Sequence, residues 1–312
     1  MSRASVLALI PLPRPAREAI EARYELCLAP DLNSDEAIGR FRESGVRAVV
    51  TNGSVGLTAA QMERLPKLEI ICAFGAGHEN IDSAAAGARG IVVTHAPGAN
   101  DATVADHALG LMLALARGFT LLDPAVRRGE WNSARTERPT LNGGRLGLVG
   151  LGRIGAKIAV RAAAFDMHVS YLTRHPRADL PWQHYTDVEQ LARDSDFLVL
   201  ACPGGAATRH LVDARVLAAL GPKGVLVNIS RGSVVDTAAL IAALEAGSIA
   251  GAGLDVFEAE PDLPAALLAC RNTVLTPHIA GRSPAAIAAQ TDMLLGSLAA
   301  HFEEGKAPFA VA

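Results

Sequence analysis

Short apolar runs, many of them rich in β-branched residues, alternate along this chain with longer stretches in which apolar residues recur every three or four positions. The short runs are typical of strands buried on both faces of a parallel sheet, and the longer stretches are typical of amphipathic helices. This alternation predicts an α/β fold in which helices cover parallel sheets. The predicted strands comprise residues 6–10, 25–29, 48–51, 68–74 and 91–95 in the first half and 145–149, 168–172, 197–201, 224–229, 253–256 and 273–276 in the second.

Two predicted helices connect these two series of strands. Residues 100–117 have helical spacing and lie between the series, so we expect this helix to join two domains. Residues 283–303 have the same spacing, and we expect this second helix to return to the first domain. Two such connections predict a cleft between the domains, and interdomain clefts are common ligand sites.

The composition narrows the class of protein. The chain has 312 residues, of which 50% are hydrophobic, and this is enough for two domains. The 29 Lys and Arg residues nearly balance the 32 Asp and Glu residues, so the net charge of −3 indicates neither a nucleic acid nor a membrane partner. The apolar run at 6–10 is too short for the core of a signal peptide, and the run at 108–116 is too short to span a membrane. Both observations predict a cytoplasmic protein. The four cysteines lack metal or redox spacing and indicate a reducing compartment; they are Cys27, Cys72, Cys202 and Cys270.

A glycine fingerprint opens the second series of strands. The apolar run 145–149 leads directly into Gly150, Gly152 and Gly155 in a Gly-x-Gly-x-x-Gly pattern, and a helical stretch follows. Such glycines allow a tight turn, a close approach of the backbone to a pyrophosphate, and close packing of helix on strand. The pattern therefore predicts a dinucleotide site, although an ordinary tight turn between a strand and a helix has similar glycines.

The end of the next strand bears on the choice of dinucleotide. An NAD enzyme usually has an acidic residue there that binds the adenine ribose, but here Thr173 and Arg174 follow the strand and Arg177 lies nearby. An acid would repel a 2′-phosphate, whereas Thr173 and Arg174 can bind one. We therefore predict NADPH rather than NADH as the cofactor; the alternative is that these arginines only solubilise the surface.

Three polar residues follow strands of the second series: Arg231, Glu260 and His278. Ligands of doubly wound sheets bind beyond the carboxyl ends of the strands, so these side chains are expected to converge there. A histidine can deliver a proton, a carboxylate can orient it, and an arginine can grip a substrate carboxylate, which together suit carbonyl reduction. Glu258 is the alternative carboxylate. No histidine spacing indicates a metal site.

Several segments resemble a known family when they are read together. They include Gly-Ala-Gly-His-Glu-Asn-Ile-Asp at 75–82, Asn-Ile-Ser-Arg-Gly-Ser-Val-Val-Asp at 228–236 and Thr-Pro-His-Ile-Ala at 276–280. With residues 100–106, 150–155 and 253–261, they resemble the D-2-hydroxyacid dehydrogenases, and within that family the glyoxylate/hydroxypyruvate reductase branch. The resemblance implies two doubly wound parallel-sheet domains with a cleft between them: a flavodoxin-like substrate domain (1–98 plus 284–312) and a Rossmann dinucleotide domain (99–283).

The resemblance also implies roles for individual residues. Arg231, Glu260 and His278 become the catalytic residues, with His278 as the proton donor and with Arg231 and His278 also contacting the substrate. The remaining substrate-binding positions are Asn52, Gly53, Ala76 and Gly77. The implied cofactor-binding positions are Val104, Gly150, Gly152, Arg153, Ile154, Gly155, Thr173, Arg174, Cys202, Pro203, Thr208, Ile229, Asp255, Ala280 and Gly281. Among these, Asp255 is expected to accept a hydrogen bond from the nicotinamide carboxamide.

The substrate and the partners remain open at the level of sequence. Glyoxylate, hydroxypyruvate and bulkier 2-oxo acids all present a carboxylate beside a ketone or aldehyde, and Arg282 departs from the family pattern after His278. The alternative functions are a cofactor-binding regulator resembling a corepressor, and a phosphoglycerate or formate dehydrogenase. The resemblance further implies a homodimer that uses the helix with its apolar face at 109–115.

Overall fold

The structure is a computed structural model that describes residues 3–29 and 32–311. Residues 1–2, 30–31 and 312, which belong to the predicted substrate domain, lie outside the described residues. The chain divides into two compact units. Unit 1 comprises Met1–Asn100 and Gly281–Ala312, and unit 2 comprises Asp101–Ala280.

Unit 1 contains a sheet of five strands in the order β2-β1-β3-β4-β5. All of its neighbouring strands pair in parallel, and the order reverses at β1, as in a doubly wound sheet. The strands are β1 (Ser5–Ala8), β2 (Glu25–Leu28), β3 (Ala48–Thr51), β4 (Ile70–Ala73) and β5 (Val92–Thr94).

Helices cover both faces of this sheet because successive residues of a strand point to opposite sides. Leu7 and Val49 belong to one buried cluster with residues of α2, α3 and α4, whereas Val6 and Val50 belong to another with α1 and α13. The helices of unit 1 are α1 (Arg14–Arg23), α2 (Ser34–Phe41), α3 (Ala59–Glu63), α4 (Ser83–Ala88) and α13 (Pro284–Ala299).

Unit 2 contains a parallel sheet of seven strands in the order β12-β11-β10-β9-β6-β7-β8. Its order reverses between β6 and β9, which is the place where a Rossmann sheet binds a dinucleotide. The strands are β6 (Arg145–Val149), β7 (His168–Leu172), β8 (Gln183–Tyr185), β9 (Phe197–Leu200), β10 (Val225–Asn228), β11 (Gly251–Leu254) and β12 (Thr273–Leu275).

Two buried clusters lie on the two faces of this second sheet. Leu148 and Val199 pack with α5 and α8, and Leu198 and Leu226 pack with α9 to α12. The helices of unit 2 are α5 (Asp101–Arg117), α6 (Phe119–Arg127), α7 (Trp131–Ala134), α8 (Arg153–Ala163), α9 (Val188–Arg193), α10 (Ala214–Leu220), α11 (Thr237–Glu245) and α12 (Ala265–Ala269).

One strand was not predicted, and the bounds of several others differ from the expectation by one or two residues, most clearly in β11. β8 was not predicted, because a three-residue polar edge strand carries no apolar run. β11 begins two residues earlier than predicted, at Gly251. Its glycines allow α5 to lie close to the strand, since a Cβ added at Gly253 would lie 3.0 Å from Cβ of Leu111.

Helix α5 is apolar on several sides, and it buries much of that surface in unit 2. Leu109, Leu111 and Met112 are each at most 6% exposed and belong to the core cluster on one face of the sheet. Among residues 3–29 and 32–311, no single helix is both long and apolar enough to cross a membrane. Only α5 and α6 taken together have that length and hydropathy, and they are bent by 56° relative to each other.

Candidate active site

The three predicted catalytic residues follow three neighbouring strands of unit 2. Arg231 comes after β10, Glu260 after β11 and His278 after β12, and these strands pair in parallel. Their carboxyl ends therefore lie along one edge of the sheet. The structure brings the side chains of these residues to that edge.

His278 and Glu260 form a hydrogen-bonded pair. Nδ1 of His278 lies 2.8 Å from Oε2 of Glu260, while Oε1 of Glu260 accepts from the backbone N–H of Phe257 at 2.9 Å. The second hydrogen bond fixes the carboxylate so that one oxygen faces the imidazole. Because Nδ1 faces the carboxylate, Nε2 is the ring nitrogen left to meet a substrate.

The surroundings of Glu260 keep it ionised. Burial raises the pKa of its carboxyl, but the hydrogen bond from His278, the hydrogen bond from the Phe257 N–H and the charges of His278 and Arg231 outweigh burial and lower it. An ionised carboxylate only accepts hydrogen bonds, so Nδ1 of His278 is the donor in this contact. The contact therefore orients the imidazole, whose Nε2 can exchange a proton with a ligand.

His278 lies in a left-handed turn that a buried aspartate supports. Its φ is 52°, a conformation that costs a non-glycine residue about 1 kcal/mol. The backbone carbonyl of Asp255 accepts from the N–H of His278, and the Asp255 carboxylate accepts from Ile279 and Ala280, each at 2.9 Å. Asp255 is 1% exposed, so its carboxylate shapes the turn that directs His278 toward Glu260.

Arg231 is carried by a turn built on the buried Asn228. Oδ1 of Asn228 accepts from the N–H and the hydroxyl of Ser230 at 3.0 and 2.8 Å, and Nδ2 donates to the carbonyl of Arg231 at 2.9 Å. The side chain of Arg231 lies over Gly204, where an added Cβ would be 2.7 Å from Cγ of the arginine. The arginine therefore rests on the loop that follows β9.

Gly232 brings the loop of Arg231 against the loop of Glu260. A Cβ added at Gly232 would lie 1.8 Å from the carbonyl carbon of Phe257, so only glycine fits at this position. Glu258, the alternative carboxylate, is occupied elsewhere: Oε1 lies 2.7 Å from Nε2 of His210. The structure thus pairs Glu260, rather than Glu258, with His278.

The glycine fingerprint forms a cradle that fits a dinucleotide pyrophosphate. Gly150 has a φ of 98° and lies against the backbone of Ala201, while a Cβ at Gly155 would lie 2.2 Å from the carbonyl oxygen of Gly150. At Gly152 an added Cβ would meet nothing within 4 Å, so the loop is open at the N-terminus of α8, where N–H groups attract phosphate. Arg153, the first residue of α8, donates from Nε to the buried Asp101 at 2.7 Å.

The remaining predicted cofactor residues of unit 2 lie in loops or buried positions on the same domain. Thr173 and Arg174 follow β7, and the Thr173 hydroxyl donates to the carbonyl of His175 at 2.6 Å. Arg177 is paired with Asp179 through two hydrogen bonds of 2.9 and 2.8 Å. The other positions are Val104 on α5, Ile154 on α8, Cys202, Pro203 and Thr208 after β9, Ile229 after β10, and Ala280 after His278.

Two of these loop residues have defined environments. The Thr208 hydroxyl donates to the carbonyl of Pro203 at 2.8 Å, which closes the loop after β9. Burial raises the pKa of the Cys202 thiol to about 11, so this cysteine is a neutral thiol at physiological pH. Gly281, in contrast, belongs to unit 1 together with Arg282, and Arg282 is exposed.

The predicted substrate residues of unit 1 lie in two adjoining loops. Asn52 and Gly53 follow β3, and Ala76 and Gly77 follow β4. A Cβ added at Gly53 would lie 2.8 Å from the carbonyl carbon of Gly77, so the two loops touch through their backbones. Oδ1 of Asn52 accepts from the N–H groups of Ser54 and Val55, which fixes the first loop as a turn.

Comparison with known proteins identifies the family. The family model described as the NAD binding domain of D-isomer specific 2-hydroxyacid dehydrogenases matches residues 109–280. The chain belongs to the D-isomer specific 2-hydroxyacid dehydrogenase family. This confirms the resemblance drawn from the motifs, the two doubly wound parallel sheets and the class of NAD(P)-dependent oxidoreductase.

Several relatives of this 2-hydroxyacid dehydrogenase match over nearly the whole chain. The chain is 38% identical to a hydroxyphenylpyruvate reductase of Plectranthus scutellarioides and 40% identical to a glyoxylate/hydroxypyruvate reductase of Arabidopsis thaliana. Each match covers 97% of this chain and 97% of the relative. A solved NADPH-dependent glyoxylate/hydroxypyruvate reductase of Sinorhizobium meliloti, in complex with NADP and malonate, superposes with a TM-score of 0.91 at 39% identity, covering 100% of this chain and 97% of that one.

The structure of this dehydrogenase also shows residues that sequence reasoning missed. The Thr276 hydroxyl donates to Asp255 at 2.6 Å, and Nε2 of His107 lies 2.9 Å from the same hydroxyl. Thr276 and His107 thus contact the side of the turn where Asp255 binds the N–H groups of Ile279 and Ala280. His107 lies three residues after the buried Val104 and four before the buried Leu111 on α5, so its place on the core-facing side of the helix was a signal in the sequence.

Proposed function

We propose that this protein reduces small 2-oxo acids, such as glyoxylate or hydroxypyruvate, to D-2-hydroxy acids with NADPH, and that His278 is the proton donor. The observation that carries the proposal is the pair of His278 and Glu260, 2.8 Å apart at the carboxyl edge of the sheet in unit 2. Relatives named as reductases of such acids support the choice of substrate class.

Each residue of the site has a distinct task in this reaction. A bound nicotinamide dinucleotide supplies the hydride that adds to C2 of the substrate. Nε2 of His278 donates a proton to the carbonyl oxygen as negative charge develops there. Glu260 stays ionised and stabilises the imidazolium before the transfer, while the guanidinium of Arg231 binds the substrate carboxylate.

A test of this function measures turnover and then removes single groups. We expect the protein to oxidise NADPH in the presence of glyoxylate, hydroxypyruvate or hydroxyphenylpyruvate, with a D-2-hydroxy acid as product. His278→Gln should lower kcat by about 10²- to 10⁴-fold, since it removes the proton donor, while the Kd of NADPH stays within about threefold. Glu260→Gln should also lower kcat, because it removes the charge that stabilises the imidazolium.

Glu258→Gln is the matched control. Glu258 lies in the same loop but binds His210 and the N–H of Thr237, so its removal should leave kcat within about threefold. Turnover by His278→Gln at the wild-type rate contradicts the proton-donor role. A protein that binds NADPH yet reduces none of the 2-oxo acids supports the regulatory alternative instead.

The preference for NADPH is proposed on the environment of the loop after β7. Arg174 is exposed and has no ion-pair partner within residues 3–29 and 32–311, so its charge can bind a 2′-phosphate. Arg177, in contrast, is already paired with Asp179. The Sinorhizobium meliloti relative is described as NADPH-dependent, which agrees with this proposal.

We also propose that the protein is a homodimer. Residues 109–115 of α5 were the predicted interface, but Leu109, Leu111 and Met112 are buried in the core of unit 2. The apolar side chains that remain exposed nearby lie on α6 and α7. They are Phe119, Leu121, Val126 and Trp131, with exposures of 56%, 47%, 48% and 59%.

A further inference from the structure

The substrate-side loop of unit 1 has two amide groups with no partner. Within the described ranges, the backbone N–H groups of Ala76 and Gly77 donate no hydrogen bond. Both residues are only partly buried. Successive N–H groups that point the same way form a concave site for an anion, and a carboxylate is such an anion.

The carbonyl groups of the same loop are held in place from behind. The N–H of Ala96 donates to the carbonyl of Gly75 at 2.7 Å, and Nδ1 of His95 lies 2.9 Å from the carbonyl of Ala76. The carbonyl oxygen of Gly77 would lie 3.0 Å from a Cβ at Gly53, so the third carbonyl is packed against the neighbouring loop. Residues of unit 1 thus hold two of these carbonyls by hydrogen bonds, and the third packs against the neighbouring loop.

Fixing these carbonyls also fixes the N–H groups. In a trans peptide the C=O and the following N–H lie in one plane and point in opposite directions. The carbonyl of Ala76 shares its plane with the N–H of Gly77, so the contact from His95 directs that N–H away from the interior. A carbonyl oxygen only accepts, which means that His95 must carry a proton on Nδ1.

Both the backbone and the ring of His95 have defined contacts. Its backbone N–H donates to the carbonyl of Phe309 at 3.3 Å, and Thr94 forms an antiparallel bridge with Ala310, so the end of the chain anchors this segment. The ring of His78 meets the ring of His95 edge to face, with centroids 4.8 Å apart and planes at 70°. The backbone contacts place the Cα of His95, and the contact with His78 restricts rotation of the imidazole.

We propose that His95 is a positioning residue for the substrate carboxylate. Its Nδ1–H holds the carbonyl of Ala76 and thereby presents the N–H of Gly77 to the anion. This inference rests on the proposed function, because the anion in question is the carboxylate of a 2-oxo acid. It separates two tasks, since His95 acts on binding of the carboxylate, whereas His278 acts on the reacting carbonyl.

The test compares variants that remove or keep the donor. His95→Leu keeps a side chain of moderate volume without a hydrogen bond, and His95→Asn keeps an amide donor at the position of Nδ1. We expect His95→Leu to raise the KM of the 2-oxo acid by about 10- to 50-fold with a much smaller change in kcat, and His95→Asn to stay within about threefold of the wild type.

Two further measurements separate positioning from general damage. Oxamate is an unreactive isostere of a 2-oxo acid that keeps the carboxylate. Its Kd is measured by calorimetry on the NADPH complex and should rise in His95→Leu together with the KM of the substrate. The kcat/KM for hydroxyacetone, which lacks a carboxylate, should stay within about twofold. His301→Leu is the control, because His301 lies in unit 1 at 13% side-chain exposure and contacts Glu69 rather than the loop.

The outcomes are distinct. If His95→Leu leaves both the KM of the 2-oxo acid and the Kd of oxamate unchanged, the inference is overturned. It is also overturned if His95→Asn raises KM as much as His95→Leu does, or if His95→Leu lowers kcat/KM for hydroxyacetone as much as it lowers kcat/KM for the 2-oxo acid. If the wild type reduces no 2-oxo acid, the proposed function fails, while the oxamate affinities of the wild type and the variants still decide whether His95 positions the loop for a carboxylate.

Discussion

At the scale of single residues, the proposed catalytic pair of His278 and Glu260 depends on how little freedom each side chain has. His278 faces Glu260 because its own turn is held by Asp255, and Glu260 faces His278 because the N–H of Phe257 holds its other oxygen. A proton donor that must rotate into place loses part of its advantage, since pre-organised geometry lowers the barrier. In the proposed reaction, the backbone around these side chains therefore contributes by orienting the proton donor.

Arg174 gives the prediction that belongs to this scale. We expect Arg174→Ala to lower kcat/KM for NADPH by about 10- to 100-fold, because a charge-assisted contact with the 2′-phosphate is lost, and to leave kcat/KM for NADH within about threefold. Steady-state kinetics with both cofactors measure the change. Arg177→Ala is the control, since Asp179 already compensates that charge; a loss shared equally by both cofactors speaks against the assignment.

At the scale of elements, close contacts between loops decide where the site forms. The fingerprint loop after β6 and the loop after β9 touch through Gly150 and Ala201, and the loops after β10 and β11 touch through Gly232 and Phe257. Each contact requires the absence of a side chain. These glycines let the loops that follow four neighbouring strands pack closely in pairs.

The other ends of β6 and β9 are joined by an ion pair with a testable pH dependence. Arg145 donates from Nη2 and from its backbone N–H to Asp196 at 2.7 and 2.8 Å, and the side-chain hydrogen bond is the main reason that the pKa of Asp196 is lowered. We expect Asp196→Asn to reduce the free energy of unfolding by about 1 kcal/mol at neutral pH, since the pair is partly exposed and screened.

The sign of the pH effect follows from the lowered pKa. The stabilisation is present above the unfolded carboxyl value of about 3.9 and is lost as the pH falls through the lower folded value. Urea denaturation from neutral pH to about pH 3.5 should show the difference between wild type and variant shrinking. Asp123→Asn, which breaks a more exposed pair with Arg127, should leave the free energy of unfolding nearly unchanged. If the difference in free energy of unfolding between the wild type and Asp196→Asn grows as the pH falls, the ion pair is not the source of the stabilisation.

At the scale of the whole molecule, the position of exposed apolar surface bears on assembly. Helix α5 uses its apolar face within unit 2, whereas α6 and α7 leave Leu121 and Trp131 exposed. Several large apolar side chains on neighbouring short helices are typical of a surface that a partner covers. The homodimer proposal therefore concerns the segment after α5 more than α5 itself.

This proposal predicts the effect of placing charge on that surface. We expect the double variant Leu121→Glu and Trp131→Glu to shift the mass measured by light scattering from a dimer to a monomer, because buried charges at an interface are costly. Leu268→Glu, which alters an exposed leucine on α12, should leave the mass unchanged. A wild type that is monomeric at micromolar concentration disproves the homodimer.

The sequence by itself determined the class of fold and the family. Short continuous apolar runs mark strands that are buried on both faces, and a 3.6-residue period marks the buried face of a helix, so eleven of the twelve strands were predictable. The motifs around Gly150, Arg231 and His278 carried the resemblance. Only the tertiary structure decided which polar groups meet. The contact of Glu258 with His210, the support of His278 by Asp255, Thr276 and His107, and the contact of His95 with Ala76 all join residues from different segments. Their hydrogen bonds depend on loop conformations and on close backbone contacts, which leave no period in the sequence.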